Sequence, residues 1–451
     1  MIRKYKRQNK QFDFVDNFTL DSNHNVFTVI VGKNGTGKST LLSSIVRELL
    51  GEKSKGLYGD SELGFDNYTK GRFEIDNSPE MVIAVSTSPF DKFPLNRRMT
   101  EIAGYSYLGL RDLMSANFGL AYMSKIISSL IESVINRPDQ FYDLQKALNY
   151  LGYKENIHAQ FTLNSSRRII TELVEHKNPF EYIAENRQGP FRSFNKRFFL
   201  RDELIDEEKV RRLLNIAHRI IERNIGLECN LKIGRNGIEL DHGYEYFGKE
   251  IIFLIQSGFL RLRNIGLESL KANSIFSIKD ASSGEQSVIL SILGIASKIK
   301  NNSIICIDEP EVCLHPEWQE KYIQILVSTF AVYQHCHFII ATHSPQIITR
   351  LPSSNCYIMN METGQSRNSR EYINNSVDFQ LANIFDSPGY KNEYLSRIAL
   401  NIFTKVNKKK LFDEDDVLKY NLLKQQSQFM DKNDPVKNLY LALEELHKLY
   451  A

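Results

Sequence analysis

Cysteine is scarce. The five in 451 residues, Cys229, Cys306, Cys313, Cys336 and Cys356, are odd in number and form no CxxC pair. That argues against a disulfide framework and against a zinc site. Long apolar runs are missing too, since none approaches the ~18–20 residues that span a bilayer. The basic start Met1–Arg7 lacks a following apolar core, so a secretory signal is not expected. Charge of one sign is also absent: a net +3 is too small to argue for nucleic acid by itself. There are no internal repeats and no low-complexity tracts, and no heptads sustained enough for a long coiled-coil arm. With 42% hydrophobic and 25% charged residues, the chain has the composition of an ordinary globular protein. The cytoplasm is its expected location, with no membrane partner.

What is present begins with Gly32-Lys33-Asn34-Gly35-Thr36-Gly37-Lys38-Ser39, a complete phosphate-binding loop. It follows the β-branched run Phe27–Val31 and opens into Thr40–Val46, the strand–loop–helix context that the motif requires. Glycines let backbone N–H groups curl around phosphate oxygens, and the helix N-terminus adds its positive end. Lys38 is expected to reach the β- and γ-phosphates, with the Ser39 hydroxyl on Mg²⁺. Asn34, Gly35, Thr36, Gly37 and Thr40 complete the expected ATP cradle. A glycine-rich turn that binds nothing would not need all these positions.

Three later segments narrow the chemistry. Ser303–Ile307 is an apolar strand that ends in Asp308 and Glu309, at the sheet edge where α/β folds bind ligands. Asp308 is expected to hold Mg²⁺ through its water shell, and Glu309 to orient or deprotonate the attacking water. Read alone, acids at a strand end are usually just solvated. Ala281-Ser282-Ser283-Gly284-Glu285-Gln286 precedes a helical run, and alone reads as an N-capped helix. His337–Ala341 is another strand, running into Thr342-His343-Ser344. A single histidine after a strand is more often structural.

Together, and in the chain order phosphate loop, serine–glycine segment, acidic strand and histidine, these segments resemble the ABC-type ATPases of the SMC, RecF and OLD branch. The resemblance implies an α/β fold: a P-loop ATPase core with a mainly helical insertion and a helical C-terminal tail. It implies ATP hydrolysis with Mg²⁺, with Glu309 and His343 catalytic. It also implies that Ser282, Ser283, Gly284 and Glu285 form a signature facing the γ-phosphate held by a second protomer, hence a homo-oligomer of at least two. Asp308-Glu309-Pro310-Glu311-Val312-Cys313-Leu314-His315-Pro316 is similar to the "DEPE…LHP" link of this branch, in which Glu311 and His315 lie in a loop at the dimer interface. One family element is missing: the strand Met81–Val85 runs into Ser86–Pro94 without the usual glutamine, for which Ser88 or Asp91 is a candidate substitute. The "SPFDKFP" stretch is similar to PtuA-like ATPases of Septu and retron-associated anti-phage systems.

The order of motifs splits the core. Residues 1–95 form its first lobe and 275–351 its second, with the mainly helical insertion at 96–274 and the helical tail at 352–451. Val210, Leu213, Leu214, Ala217, Ile220 and Ile221 make one amphipathic helical stripe, and Leu227–Ile233 alternates as a strand would. Residues 187–201 interleave arginine and lysine with Phe191, Phe194, Phe198 and Phe199. Such a patch suits single-stranded nucleic acid, but inward-packed phenylalanines beneath solvated cations are the favoured reading. Lys405 and Lys408–Lys410 precede Asp413–Asp416, a pattern expected of a solvated turn. No Toprim or HNH nuclease constellation follows His343. The expected function is therefore an ATPase subunit of an anti-phage complex, controlling a separate effector such as an HNH or Toprim nuclease. The alternative is a RecF- or SMC-like DNA-maintenance ATPase.

Overall fold

The computed structural model describes residues 1–7, 9–16, 24–51, 57–58, 71–96, 103–111, 118–137, 140–185, 195–201, 204–241, 243–272 and 274–450. Its centre is a seven-stranded sheet. The strand order is Ser366–Asn368, Cys356–Asn360, Val26–Val31, His337–Ala341, Ser303–Asp308, Met81–Ser86 and Tyr105–Leu108. All neighbours pair in parallel except the first two. The four central strands are buried along their whole length. This is why they read as unbroken runs of Val, Ile and Phe rather than as alternation: a parallel sheet is covered on both faces.

The parallel arrangement puts the phosphate loop, the two acids and His343 at the same edge, because each follows the carboxyl end of its strand. Register tightens this. Asp308 pairs with Ala341 on one side and Ser86 on the other, and Ala341 pairs with Ile30. A buried histidine fastens the other end of the sheet. The Ile2 N–H donates to Nδ1 of His337 at 3.2 Å, so the ring proton sits on Nε2, 2.9 Å from the Thr28 hydroxyl, which in turn donates to the Phe14 carbonyl.

The helical reading of 96–274 takes in a second, antiparallel sheet of five strands. The order is Gly237–Leu240, Glu228–Gly234, Tyr153–Leu163, Leu260–Ser269 and Ile275–Ser277. Of these, only Glu228–Gly234 matches an expected strand. In Tyr153–Leu163 the buried Ile157, Ala159, Phe161 and Leu163 alternate with His158, Gln160 and Thr162, a strand pattern that the helical reading of the insertion missed. The helix Glu207–Glu222 stands where the apolar stripe predicts it, and a second helix spans Phe118–Asn136. Phe118–Asn136 crosses the helix Ser283–Lys298 closely: Ser129 Oγ lies 2.8 Å from Ser297 Oγ, and Lys298 is 2.9 Å from Glu132.

The sheet also extends past 351. Cys356–Asn360 lies beside the phosphate-loop strand, so this part of the expected helical tail belongs to the ATPase sheet. Five residues of mixed character carry no motif, and pairing alone assigns them. Beyond them, the helices Glu393–Lys409, Glu414–Ser427 and Pro435–Tyr450 enclose a core of their own around Leu395, Ile402, Leu423 and Leu443. Among the described residues no helix is long and apolar enough to cross a membrane.

Candidate active site

The phosphate loop turns into the helix Lys38–Leu50 at Gly37, which adopts φ +92° as the N-cap. That left-handed geometry is open to glycine and aims the following N–H groups into the loop. Lys38 is buried, and its Nζ donates to the carbonyls of Gly32 (2.9 Å) and Lys33 (3.2 Å). The same Nζ lies 3.2 Å from Nδ1 of His343. An ammonium can only donate, so Nδ1 accepts and the imidazole proton resides on Nε2. Nε2 in turn lies 3.5 Å from Oε1 of Glu309. Lys38, His343 and Glu309 thus form one row across three adjacent strands.

Ser39 Oγ donates to Oδ1 of Asp308 at 3.0 Å, joining the first helix to the acidic strand. Burial pushes Asp308 up to about 7, the Ser39 hydroxyl opposing and Glu309, Asp91 and Glu311 adding to the rise. Burial pulls Lys38 down to about 8 against the attraction of Glu309, Glu311 and Asp308. Burial, and then the Lys38 charge, pull His343 down to about 4, so its ring is neutral near pH 7. Three carboxylates therefore surround one ammonium. A carboxylate and a hydroxyl facing each other in an acidic, buried corner are the hard oxygen donors that Mg²⁺ takes, with waters filling its remaining positions. The residues present fit that ion.

Glu309 follows the strand with φ +48°, uncommon for a residue with a side chain. Its N–H still donates to Ala341 (2.9 Å), after which the chain turns away into Pro310–Cys313. In this turn Glu311 and His315 part company. His315 is exposed at the N-cap of the helix Pro316–Thr329, with Pro316 at its first position. Glu311 points inward, and its carboxylate accepts the His343 N–H at 2.5 Å.

The signature segment sits at the start of the helix Ser283–Lys298. Ser282 is the N-cap, accepting the Glu285 N–H at 3.3 Å. Ser282 and Ser283 are exposed and Gly284 is buried. A Cβ on Gly284 would stand 2.9 Å from the Cys313 carbonyl and 3.3 Å from Leu314 Cα, so this helix abuts the loop after the acids. Glu285 is held by the Tyr153 hydroxyl at 2.9 Å, a partner 132 positions away that no local pattern announces. Among the described residues, no hydrogen bond or ion pair joins 282–285 to the phosphate loop of the same chain.

Of the two substitutes expected for the missing glutamine, Asp91 is engaged on all sides, whereas the Ser88 hydroxyl keeps a proton to donate. Asp91 is buried and accepts from Tyr107 (2.7 Å), from the Phe93 N–H (3.0 Å) and from Arg111 (3.3 Å). The Ser88 hydroxyl accepts the Phe90 N–H. Both side chains brace their own loop, and Lys92 from the same loop reaches the Thr40 hydroxyl at 3.1 Å. In the 187–201 patch, residues 187–194 lie outside the described residues. Phe199 is buried and Phe198 packs against the same core, which agrees with the inward reading for those two. Lys405 pairs with Asp413 and Asp416 at the capped start of a helix; Asp413–Asp415 are exposed as a solvated turn should be, but Asp416 is buried.

The chain is similar to known proteins in sequence and fold. The chain is 22% identical over 364 residues to the retron Vc95 probable ATPase of Vibrio cholerae serotype O1 biovar El Tor, covering 74% of this chain and 68% of that one. It is 21% identical over 407 residues to the retron Ec83 probable ATPase of Escherichia coli, covering 80% and 71%. Among solved structures, the Smc head domain with an extended coiled coil bound to the C-terminal domain of ScpA, from Pyrococcus furiosus, covers 82% of this chain and 97% of that chain at 15% identity, with a TM-score of 0.30. The profile of the AAA ATPase domain matches residues 123–348, taking in the signature helix, the acidic strand and His343 but starting after the phosphate loop. By that match over half its length, the chain belongs to the AAA ATPase domain family and is an ATPase.

Proposed function

We propose that this ATPase works as a dimer or larger homo-oligomer within a retron-type anti-phage complex, where its nucleotide state controls a separate effector, a nuclease of HNH or Toprim type. The observation that carries the reading is the convergence of Lys38, Ser39, Asp308, Glu309 and His343 on one sheet edge. The retron names of two relatives favour defence over DNA maintenance.

In this reading Lys38 leaves the Gly32 and Lys33 carbonyls for the β- and γ-phosphates, while N–H groups of 34–40 hold the remaining oxygens. Ser39 and Asp308 hold Mg²⁺, whose charge offsets that of the phosphate oxygens. The Glu309 carboxylate accepts a hydrogen bond from the attacking water and aligns it with the γ-phosphorus. His343 donates its Nε2 proton toward a γ-phosphate oxygen, which its neutral, Nε2-protonated state allows. Preorganised charge of this kind supplies most of the acceleration in phosphoryl transfer. Ser282, Ser283 and Gly284 of one protomer cap the nucleotide of the other, a role that the exposure of the two serines suits. The loop carrying Glu311 and His315 lies at the same interface, His315 facing outward.

The test is the mass in solution, by light scattering, of wild type and Glu309→Gln with ATP and Mg²⁺. The variant keeps the shape of the site and loses the carboxylate, so it should trap a nucleotide-dependent dimer or larger assembly. Both proteins remaining monomeric at micromolar concentration would sink the paired-site reading.

A further inference from the structure

We infer that Glu311 is a positioning residue for His343 within its own protomer, holding the histidine in line with Glu309 and Lys38. The inference rests on the reading of His343 given above and adds a residue to it.

The argument starts from backbone hydrogen bonding. At the end of the strand His337–Ala341, N–H groups point alternately to the two neighbouring strands. The Thr342 N–H goes to the phosphate-loop strand, donating to the Ile30 carbonyl at 3.1 Å. The next N–H, of His343, therefore faces the acidic strand. That strand has no carbonyl left to offer: its last pair is Asp308 with Ala341, and Glu309 turns the chain away at φ +48°. A buried N–H without an acceptor is costly and rare. Glu311, two residues beyond the turn, returns its carboxylate to that spot and accepts the His343 N–H at 2.5 Å. The side chain thus replaces the missing rung of the ladder.

Two further contacts show that the segment is built to be held. The Ser344 hydroxyl donates to Oε1 of Gln319 at 2.6 Å, and the Ser344 N–H donates to the Thr342 hydroxyl at 2.9 Å. The other Glu311 oxygen is buried, beside the Thr342 side chain of the same segment. A side chain placed for general solvation would not leave it so. The same turn that carries Glu309 therefore also fixes the backbone of His343, and the two side chains keep their 3.5 Å spacing through one shared piece of chain. Losing the anchor frees the histidine, and a misplacement of about 1 Å can lower turnover by about a hundredfold.

The experiment compares full-length wild type, Glu311→Ala, Glu311→Gln, His343→Ala and the double variant Glu311→Ala/His343→Ala. It measures ATP turnover and the hydrogen exchange of the His343 amide. Glutamine keeps a carbonyl oxygen for the His343 N–H and removes only the charge. Glu311→Ala should lower kcat by about tenfold to a hundredfold with KM within about threefold, and expose the amide to exchange. Glu311→Gln should restore most of both. The double variant should match His343→Ala alone, because a residue acting through the histidine has nothing left to position. If His343→Ala turns over like wild type, the reading of His343 fails and takes this inference with it. If His343→Ala is impaired but Glu311→Ala is not, or the two losses multiply, only the positioning role falls. Should Glu311→Ala fail to fold, Glu311→Gln decides: near-normal turnover and protection uphold the inference, and a loss equal to that of His343→Ala overturns it.

Discussion

His337 and His343 follow the same apolar strand at its two ends, and their surroundings give them different work. His343 is half-exposed beside Lys38 and belongs to the site. His337 is fully buried and held neutral, burial pushing it down to about 3. The unfolded imidazole protonates near its ordinary value of about 6.5, whereas the native one resists. The histidine's contribution to stability is therefore whole above about pH 6.5 and declines as pH falls from there toward 3, by about 1.4 kcal/mol per pH unit. Guanidinium unfolding at pH 7.5 and 5.5 should show this loss in wild type and a shallower one in His337→Asn. Equal slopes would mean that the histidine is not the proton-linked group.

Between elements, one close approach is that of the signature helix and the loop after the acids. Gly284 meets backbone atoms on the other side, and backbone cannot move aside as a flexible side chain can. Gly284→Ala should therefore separate helix and loop at a cost of about 1–3 kcal/mol, visible as a lowered Tm. Ser283→Ala, at an exposed position one residue earlier, should leave Tm within about a degree, as surface changes do. If both variants melt together, the close approach is not what holds this junction. The motif itself was legible as a serine- and glycine-rich helix start. Its packing against 313–315 was not, because nearly thirty positions separate the two segments.

Over the whole molecule, the C-terminal helices reach back to the phosphate loop. Lys33 Nζ stands 3.7 Å from the ring centroid of Phe429, at the end of the helix Glu414–Ser427. A cation over an aromatic face at a partly exposed site is worth about 0.5–1 kcal/mol. Phe429→Ala should free Lys33 for the nucleotide and tighten binding of a non-hydrolysable ATP analogue about two- to fivefold by calorimetry. Unchanged or weaker affinity would show that the contact does not compete with phosphate.

The sequence by itself determined the chemistry of the edge. A phosphate loop needs its glycines, Lys38 and Ser39 in immediate succession, and acids or a histidine directly after apolar strands are local patterns. The parallel sheet then brings them together, since every strand presents its carboxyl end to the same side. Tertiary structure alone decided the rest. It set the inward turn of Glu311, the locking of Asp91 by Tyr107 and Arg111, and the Tyr153 clasp on Glu285. It also assigned the strands of the insertion and Cys356–Asn360 to their sheets. Each of these depends on partners distant in the chain: alternation can mark a strand such as Tyr153–Leu163, but neither the strand it pairs with nor the acceptor of a buried hydrogen bond is written in the local pattern.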